Sequence, residues 1–473
     1  MRALFQVFFL LTSTVFSHQF EDFVKSHIIQ KLNDSVDPCD DFYDHVCPMN
    51  IKAEDTAVYL TTVAYKKQLE TVTTKFDSFL KELSLENTPR TIVNQLLDIC
   101  YKTGYGKLLA LEFSNVVFPE FPLAPNASCE SIAYLFGYQY LQKQKSSTFL
   151  TMRNMLFDLP RHLEVFKSST FRESRANLLE LFHDLVEELQ EKIENTPWVA
   201  YHNGTTAFKE FLSKNLTYFV PDDLLLKEWE NYYTETVESY SKENCSLVCL
   251  YLEVIPKIFY EIYSKPGNGL IKNGRVFNAF NGGSYMFFTP IAQSLSLIQN
   301  KARMLGAIGF IFAHELMHTF YVTEEDEYLA KFWTNSSGCV QKQFEATCKQ
   351  FVGERCVGGT NETNEEDGAD ISAIRLIYSH FEKTRSNEEK SDIRGITAPQ
   401  MFFYSLAATF CENAELRKGR PFDSHAGSKV RTNALVAQMN EFKEAFQCAD
   451  TSRMARSKTD HCVIYGSEAP GTH

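Results

Sequence analysis

The 473-residue chain has little positive charge for its size and no long apolar run after its first residues. Lys and Arg number 47 against 60 Asp and Glu, a formal net charge of −13. Nucleic-acid binding needs clustered basic side chains that release counterions, so a polyanion partner is excluded. No later segment offers the roughly 20 apolar residues that a membrane span needs. Internal repeats and low-complexity blocks are also missing, which excludes solenoid and tail architectures.

The first 17 residues are predicted to be a signal peptide. Arg2 precedes an apolar run over residues 3–11, and small or polar residues come next around Ser17. That order is typical of a secretory leader, and an uncleaved membrane anchor is the alternative. We therefore expect a secreted, extracellular protein.

Twelve cysteines and seven Asn-x-Ser/Thr sequons lie after the leader and suit an oxidising secretory route. Spacing alone does not give the connectivity, because twelve cysteines allow on the order of ten thousand pairings. The candidate glycosylation sites are Asn33, Asn126, Asn203, Asn215, Asn244, Asn335 and Asn361.

Three regions are predicted after the leader. Residues 18–55 form a cysteine element in which Cys39 and Cys47 flank aromatic side chains; a zinc pair is the rival interpretation, which the lack of a CxxC motif disfavours. Residues 56–249 repeat apolar positions at intervals of three and four, which predicts a helical lobe. A stretch rich in Gly, Asn and aromatic residues over 265–290 predicts a strand or hairpin within the C-terminal domain, 250–473.

A metal-binding motif lies inside an apolar helical run. His314 and His318 are one helical turn apart on one face, so both imidazoles can reach one zinc ion, with Glu315 beside them. Zinc lowers the pKa of a bound water, and Glu315 can take its proton and pass it to a leaving amine. The alternative is a pair of hydrogen-bonded histidines on a core helix.

A third protein ligand is needed, and the motif alone does not choose it. In the cluster over residues 365–370, Glu366 and Asp370 are an i, i+4 pair, so one could bind metal while the other orients a histidine. A charged helix N-terminus is the competing interpretation. The acidic candidates are Glu324, Glu325, Glu327, Glu345, Glu365, Glu366, Asp367 and Asp370.

Several separated motifs, in order, resemble the neprilysin-like zinc metallopeptidases, which include the endothelin-converting enzymes. DPCDDFYDHVC resembles the N-terminal cysteine signature of that family, VFNAF its substrate-binding strand, GAIGFIFAHELMH its zinc helix and EDGAD its Glu-x-x-Ala-Asp motif. Residues 400–411, 424–448 and Cys462 continue the match. The resemblance implies a mainly α, zincin-like (thermolysin-like) catalytic domain with a small β element and a second helical lobe.

The resemblance also implies a set of site residues. Glu366 would be the third ligand of a single Zn2+, and Asp370 would support His314. His425 would stabilise the oxyanion of the tetrahedral intermediate, the role of a donor aimed at developing charge. From sequence alone His425 would pass for an ordinary surface residue.

The same resemblance implies the substrate contacts. Arg431 would grip a substrate carbonyl or carboxylate, and Asn278 and Ala279 would align the peptide as an added strand. Ile311 and Phe410 are expected to help line a hydrophobic pocket.

Disulfide pairings are likewise carried over from the family. They are Cys39 with Cys448, Cys47 with Cys411, Cys348 with Cys462, and Cys100 with Cys245, leaving Cys129 with Cys249 and Cys339 with Cys356 by elimination.

The chain departs from the family pattern in two places that bear on substrate choice. Phe410 stands where the family has Trp, and the segment between Cys47 and Asn278 is much shorter than in typical members. A reduced helical lobe would leave the cleft more open.

We therefore expect a zinc endopeptidase that cuts oligopeptides before hydrophobic residues. The alternatives are a catalytically inactive extracellular binding protein of the same fold, and a zinc hydrolase of non-peptide substrates. The oligomeric state is not indicated by the sequence.

Overall fold

A computed structural model gives the fold of the chain. It describes residues 31–74, 159–196, 217–219, 223–242, 277–281, 285–318, 327–353, 358–360, 363–385, 393, 395–413, 424–455 and 461–465, with isolated positions 25, 97, 101 and 128. The predicted signal peptide lies outside these residues.

The chain divides into two compact units. One comprises residues 1–65, 169–220 and 275–473, and the other comprises residues 66–168 and 221–274. This division differs from the boundaries expected from the sequence, because residues 169–220 group with the C-terminal region and not with the helical lobe. The reason is that helix Ser169–Glu194 in this segment buries an apolar face (Leu178, Leu181, Leu185, Leu189). Sequence periodicity predicts that such a face is buried, but it does not show which part of the protein the face packs against.

The N-terminal part of the chain is mainly helical. Asp41 is the N-cap of helix α1 (Phe42–Val46), because its side chain accepts a hydrogen bond from the Asp44 N–H at 3.1 Å. The elements up to the sheet are α1 (Phe42–Val46), a 3-10 turn (Ala53–Asp55), α2 (Ala57–Thr71), α3 (Ser169–Glu194), β1 (Thr217–Phe219) and α4 (Asp223–Lys242).

A three-stranded sheet precedes the C-terminal helices. Strands β2 (Ala279–Asn281) and β3 (Tyr285–Phe288) pair antiparallel, and β1 pairs with β3 in parallel. The order is β1-β3-β2, so β2 lies at an edge of this sheet. The prediction of a strand or hairpin in this region is confirmed.

Helices make up most of the described chain after strand β3. They are α5 (Pro290–Gln293), a 3-10 turn (Ser294–Leu297), α6 (Lys301–Met304), a π-helical stretch (Leu305–Gly309), α7 (Phe310–Met317), α8 (Glu327–Phe351), α9 (Asn364–Thr384), α10 (Ala398–Thr409), α11 (Ser428–Ala437) and α12 (Asn440–Phe446). The described part is therefore mainly α with a small β element, as the sequence predicts.

Helix α7 is the last part of a continuous helical segment that begins at Lys301. Its buried side chains include Phe310, Phe312, Leu316 and Met317, and the π-helical stretch before it is completely buried. Gly306 in that stretch permits close packing on α10, because a Cβ there would lie 2.3 Å from the Phe402 carbonyl oxygen. The motif-bearing helix is thus fixed in the middle of the core.

Disulfides fasten the N-terminal cysteine element to the C-terminal helices. Cys39 is bonded to Cys448 and Cys47 to Cys411, which are the pairings that the resemblance implied. Cys100 and Cys245 lie outside the described residues.

The predicted Cys348–Cys462 bridge is wrong, because Cys462 is bonded to Cys339. Cys339 and Cys348 are both on α8 and nine residues apart, so they face roughly opposite sides of that helix. The pairing of Cys339 with Cys356 by elimination fails with it. Cys348 is itself in a disulfide, with a partner outside the described residues.

Among the described residues, no helix has the length and apolar character needed to cross a membrane.

Candidate metal centre

Two packed helices bring the motif residues together. Helix α7 ends with His314, Glu315 and His318 at its C-terminal side, and α9 presents Glu366 and Asp370 from its first two turns. The segment before α11 adds His425, and α11 itself carries Arg431. These residues are separated by up to 117 positions in sequence (431 minus 314) and meet in one site.

Three side-chain atoms form a nearly equilateral triangle. His314 Nε2 and His318 Nε2 are 3.1 Å apart, and each lies 3.1 Å from Glu366 Oε2. His425 Nε2 is also 3.1 Å from that oxygen. Glu366 Oε2 is buried, yet none of its three imidazole contacts has hydrogen-bond geometry. Three imidazole nitrogens therefore converge on one buried carboxylate oxygen that has no hydrogen-bond partner in the structure.

This arrangement fits zinc. A tetrahedral ion with ligands at about 2.0–2.1 Å separates any two ligand atoms by roughly 3.3–3.4 Å, close to the three 3.1 Å edges observed. Two imidazoles and one carboxylate are also the donor set of hydrolytic zinc sites that leave a fourth position open. Of the described His, Cys, Asp and Glu side chains, those of His314, Glu366 and His425 offer ligand atoms within 4.8 Å of one another.

The first turn of α9 is anchored beside the site. Asp367 Oδ2 accepts hydrogen bonds from the Gly359 N–H at 3.1 Å and the Thr363 hydroxyl at 3.0 Å. Burial raises the pKa of Asp367 to about 8. On the other side, the Ser424 hydroxyl lies 3.3 Å from Glu366 Oε1 and donates to it. Glu366 is thereby held with its Oε2 atom facing the imidazoles.

Asp370 connects His314 on helix α7 to Arg431. Its Oδ1 lies 2.8 Å from His314 Nδ1, and the two carboxylate oxygens accept from Arg431 Nη2 at 2.7 Å and Nε at 2.5 Å. Burial raises the pKa of Asp370, but Arg431 and His314 outweigh it and bring the value down to about 2. Burial lowers the pKa of His314, but Asp370 more than offsets this and raises it to about 9. A carboxylate behind a ligand imidazole fixes the ring and makes it a stronger donor.

Glu315 is buried next to the triangle, and burial raises its pKa. Its backbone carbonyl accepts a hydrogen bond from the Asn281 side chain at 2.5 Å. Asn281 is the last residue of β2, so this bond ties the edge strand to the metal helix. Asn281 stands three residues after Asn278 in the sequence, but nothing in the motif pointed to it.

The backbone groups of β2 face two directions. Asn278 faces β3, because its carbonyl accepts from the Thr289 N–H at 3.0 Å. Backbone groups alternate in direction along a strand. The N–H and C=O of Ala279 and Asn281 therefore point away from β3.

Arg431 packs on an aromatic ring next to helix α7. Its Cζ lies 4.7 Å from the centre of the Phe410 ring, and that ring makes an edge contact with Phe310 at 5.7 Å. Ile311 and Phe410 are both partly buried against the core. Arg431 is thus held by a carboxylate and an aromatic face, two contacts that no sequence spacing indicated.

Some predicted sites cannot be placed. Glu324, Glu325 and the sequons at Asn126, Asn203, Asn215, Asn244 and Asn361 lie outside the described residues. Asn33 is described and its side chain accepts from the Ser35 N–H at 3.2 Å.

Known proteins match the part of the chain that holds this site. Residues 292–462 match the sequence model of peptidase family M13. Neprilysin-3 of Drosophila melanogaster is 26% identical over 184 residues, 35% of this chain and 23% of that protein. Endothelin-converting enzyme 1 of Cavia porcellus is 29% identical over 168 residues, 33% of this chain and 22% of that protein. The matched segments thus span less than a quarter of these relatives.

One solved structure matches nearly the whole chain. It is a chain of the Haemonchus galactose containing glycoprotein complex, with a TM-score of 0.52 at 14% identity, covering 94% of this chain and 99% of that one. At this identity the likeness concerns the fold alone.

The mainly helical fold and the family match over residues 292–462 agree with a zincin-like domain. Residues 292–462 are therefore similar to peptidase family M13, and the chain resembles neprilysin-like proteins over about a third of its length.

Proposed function

We propose that the protein is a secreted, zinc-dependent endopeptidase that hydrolyses oligopeptides on the N-terminal side of hydrophobic residues. One observation carries the proposal: the 3.1 Å triangle of His314, His318 and Glu366 donor atoms lies beside the buried carboxylate of Glu315. The three donors would hold one zinc ion per chain and leave a position for reactants.

Zinc, when bound there, supplies Lewis acidity and lowers the pKa of water. Glu315 acts as the general base, taking a proton and returning it to the leaving amine. Burial raises the pKa of Glu315, which makes its ionised carboxylate a stronger base. His425 donates to the carbonyl oxygen as negative charge develops on it. Asp370 keeps the His314 ring oriented throughout.

The substrate backbone would bind along β2. The outward-facing N–H and C=O of Ala279 suit an extended peptide added as a further strand, with the exposed Asn278 side chain beside it. Arg431 uses two of its donor nitrogens on Asp370, and a guanidinium has five N–H donors, so donors remain for a substrate carbonyl or carboxylate. The Ile311 and Phe410 side chains favour a hydrophobic residue in the adjoining pocket.

Secretion is supported by the disulfides. The Cys39–Cys448, Cys47–Cys411 and Cys339–Cys462 bridges are of a kind that persists in oxidising compartments and is rare in the cytosol. Removal of residues 1–17 as a signal peptide and glycosylation of the seven sequons belong to the same proposal.

Mass spectrometry of a mixed oligopeptide pool tests the proposal. The purified protein is expected to cut peptides before hydrophobic residues, and Glu315→Gln, which keeps all three metal ligands, is expected to cut none. Chelation should abolish cleavage by the parent protein, and added zinc should restore it.

Failure of both proteins to cut, with zinc bound, would contradict the proposal. That result would favour the inactive binding protein of the same fold. Cuts scattered without regard to hydrophobic residues would contradict the proposed specificity and leave the peptidase activity intact.

A further inference from the structure

Tyr43 of the N-terminal cysteine element connects to the turn that ends α10. Its side chain is completely buried, and its hydroxyl donates to the Phe410 carbonyl at 3.3 Å and accepts from the Glu412 N–H at 3.3 Å. Both bonds flank Cys411, which is disulfide-bonded to Cys47 on the same element. The backbone that carries the Phe410 side chain is thus fixed by a bridging hydroxyl and a neighbouring covalent bond.

The Phe410 ring is the surface on which Arg431 lies. The Arg431 Cζ is 4.7 Å from its centre, and Phe310 of the metal helix contacts the same ring. A cation over an aromatic face is attracted by the ring, and the attraction depends on where the ring stands. A shift of the Phe410 backbone would therefore move the ring and the guanidinium together.

A second contact from the same element reaches the helix that carries Arg431. The Tyr43 N–H donates to the Asn433 side-chain oxygen at 2.9 Å, and Asn433 is on α11 two residues after Arg431. Tyr43 thus supports Arg431 through its backbone and supports the ring under Arg431 through its hydroxyl.

We infer that Tyr43 is a positioning residue for peptide binding, which acts through Phe410 on the Arg431 guanidinium. The inference rests on the proposed peptidase function and extends it to the N-terminal element, which would otherwise be only a structural attachment. The hydrogen bonds of Tyr43 described above reach Phe410, Glu412 and Asn433. Its influence is therefore expected in KM and not in zinc affinity.

Tyr43→Phe removes only the hydroxyl and tests the inference. It leaves the partly buried Phe410 carbonyl and Glu412 N–H without this partner, and the turn is expected to shift to satisfy them. For a peptide substrate we expect KM to rise about five-fold while kcat changes less than about two-fold, the pattern of lost binding without lost chemistry. Zinc content should stay at the parental value.

Tyr404→Phe is the matched control. Tyr404 is buried at the same junction of α1 with α10, and its hydroxyl lies 3.3 Å from His45 Nε2, away from Phe410. It should retain the parental KM although it also loses one buried hydroxyl. Equal KM changes in the two variants, or an unchanged KM in Tyr43→Phe, would overturn the inference.

Arginine modification gives a readout that does not need activity. With phenylglyoxal and peptide mapping, Arg431 in Tyr43→Phe is expected to react about three-fold faster than in the parent, relative to the exposed Arg172. Arg303 is completely buried and reports general loosening. Faster modification of Arg303 as well would show a merely structural role and refute the inference.

The two proposals fail in different ways. A zinc-loaded parent protein that cuts no peptide contradicts the proposed function, and Arg431 reactivity then decides whether Tyr43 positions the guanidinium. An active parent whose Arg431 reacts equally with and without the Tyr43 hydroxyl contradicts this inference alone.

Discussion

Gly306 and Gly309 permit a direct test of how closely the segment before helix α7 packs against its neighbours. A Cβ at Gly306 would lie 2.3 Å from the Phe402 carbonyl oxygen, which belongs to the backbone of α10. Carbon contacts are comfortable at about 3.5 Å or more, so the two helices would have to separate by roughly 1 Å. A Cβ at Gly309 would meet Ile377 Cδ1 at 3.0 Å and Leu305 Cδ2 at 3.2 Å, which are ends of flexible side chains.

These distances set the expected costs. Overpacking against a backbone that cannot rotate away belongs at the upper end of the usual range, ~3 kcal/mol. Alanine recovers ~1 kcal/mol of helix propensity relative to glycine. The net loss for Gly306→Ala is therefore ~2 kcal/mol. For Gly309→Ala the small side-chain adjustments roughly cancel the same gain, and the change should stay within ~1 kcal/mol.

Urea unfolding measures the difference. With a slope of ~2 kcal/mol per molar urea, Gly306→Ala should lower the midpoint by about 1 M, and Gly309→Ala should leave it nearly unchanged. Because the separation also moves α7, the Gly306 variant should bind zinc more weakly than the Gly309 variant. A neutral Gly306→Ala, or equal losses in the two variants, would refute the reasoning about close helix packing.

Three further experiments test the surroundings of the site and the disulfide pairing. Lys429→Met removes ion pairs of 2.7 and 2.6 Å with two carboxylates of the N-terminal element, so urea unfolding should show a loss of ~2 kcal/mol, and Lys429→Arg a smaller one. The pKa of Asp370 is lowered from 3.8 to about 2, so its ionised carboxylate stabilises the fold by up to ~2 kcal/mol above pH ~4, and this is lost as pH falls through about 2. In Asp370→Asn, the free energy of unfolding should therefore fall less steeply with pH in this range. A pH dependence equal to that of the parent would contradict the role of these ion pairs. Trypsin cuts after Lys342, between Cys339 and Cys348, so unreduced digests should link Cys462 to the Cys339 peptide, and a link to Cys348 would contradict the structure.

The metal motif could be read from the sequence because it is local. His314 and His318 are four residues apart, and helical periodicity alone places them on one face. Glu366 and Asp370 share the same spacing, but their meeting with α7 depends on packing between distant segments. Only the family resemblance singled out Glu366, and it did so without geometry.

The disulfides show where a resemblance stops being sufficient. Cys339 and Cys348 stand nine residues apart in the same helix, and the sequence alone does not decide which of them is bonded to Cys462. The choice depends on which face of α8 meets the C-terminal segment. That is a property of tertiary packing, and it selects Cys339.

Arg431 illustrates a similar limit. The motif suggested a substrate-binding arginine, but its bidentate pairing with Asp370 joins residues 61 positions apart. Charge pattern in a sequence does not reveal such a pair. Lys429 and Tyr43 also lie within the family motifs, and their contacts with distant residues cannot be predicted from those motifs.

The most direct test of the account measures zinc content and peptide turnover on the same preparations of the parent, Glu315→Gln and Glu366→Ala. The parent and Glu315→Gln should each contain one zinc per chain, and only the parent should cleave peptide. Glu366→Ala should lose zinc. Full zinc content in Glu366→Ala, or turnover by Glu315→Gln near the parental rate, would contradict the account.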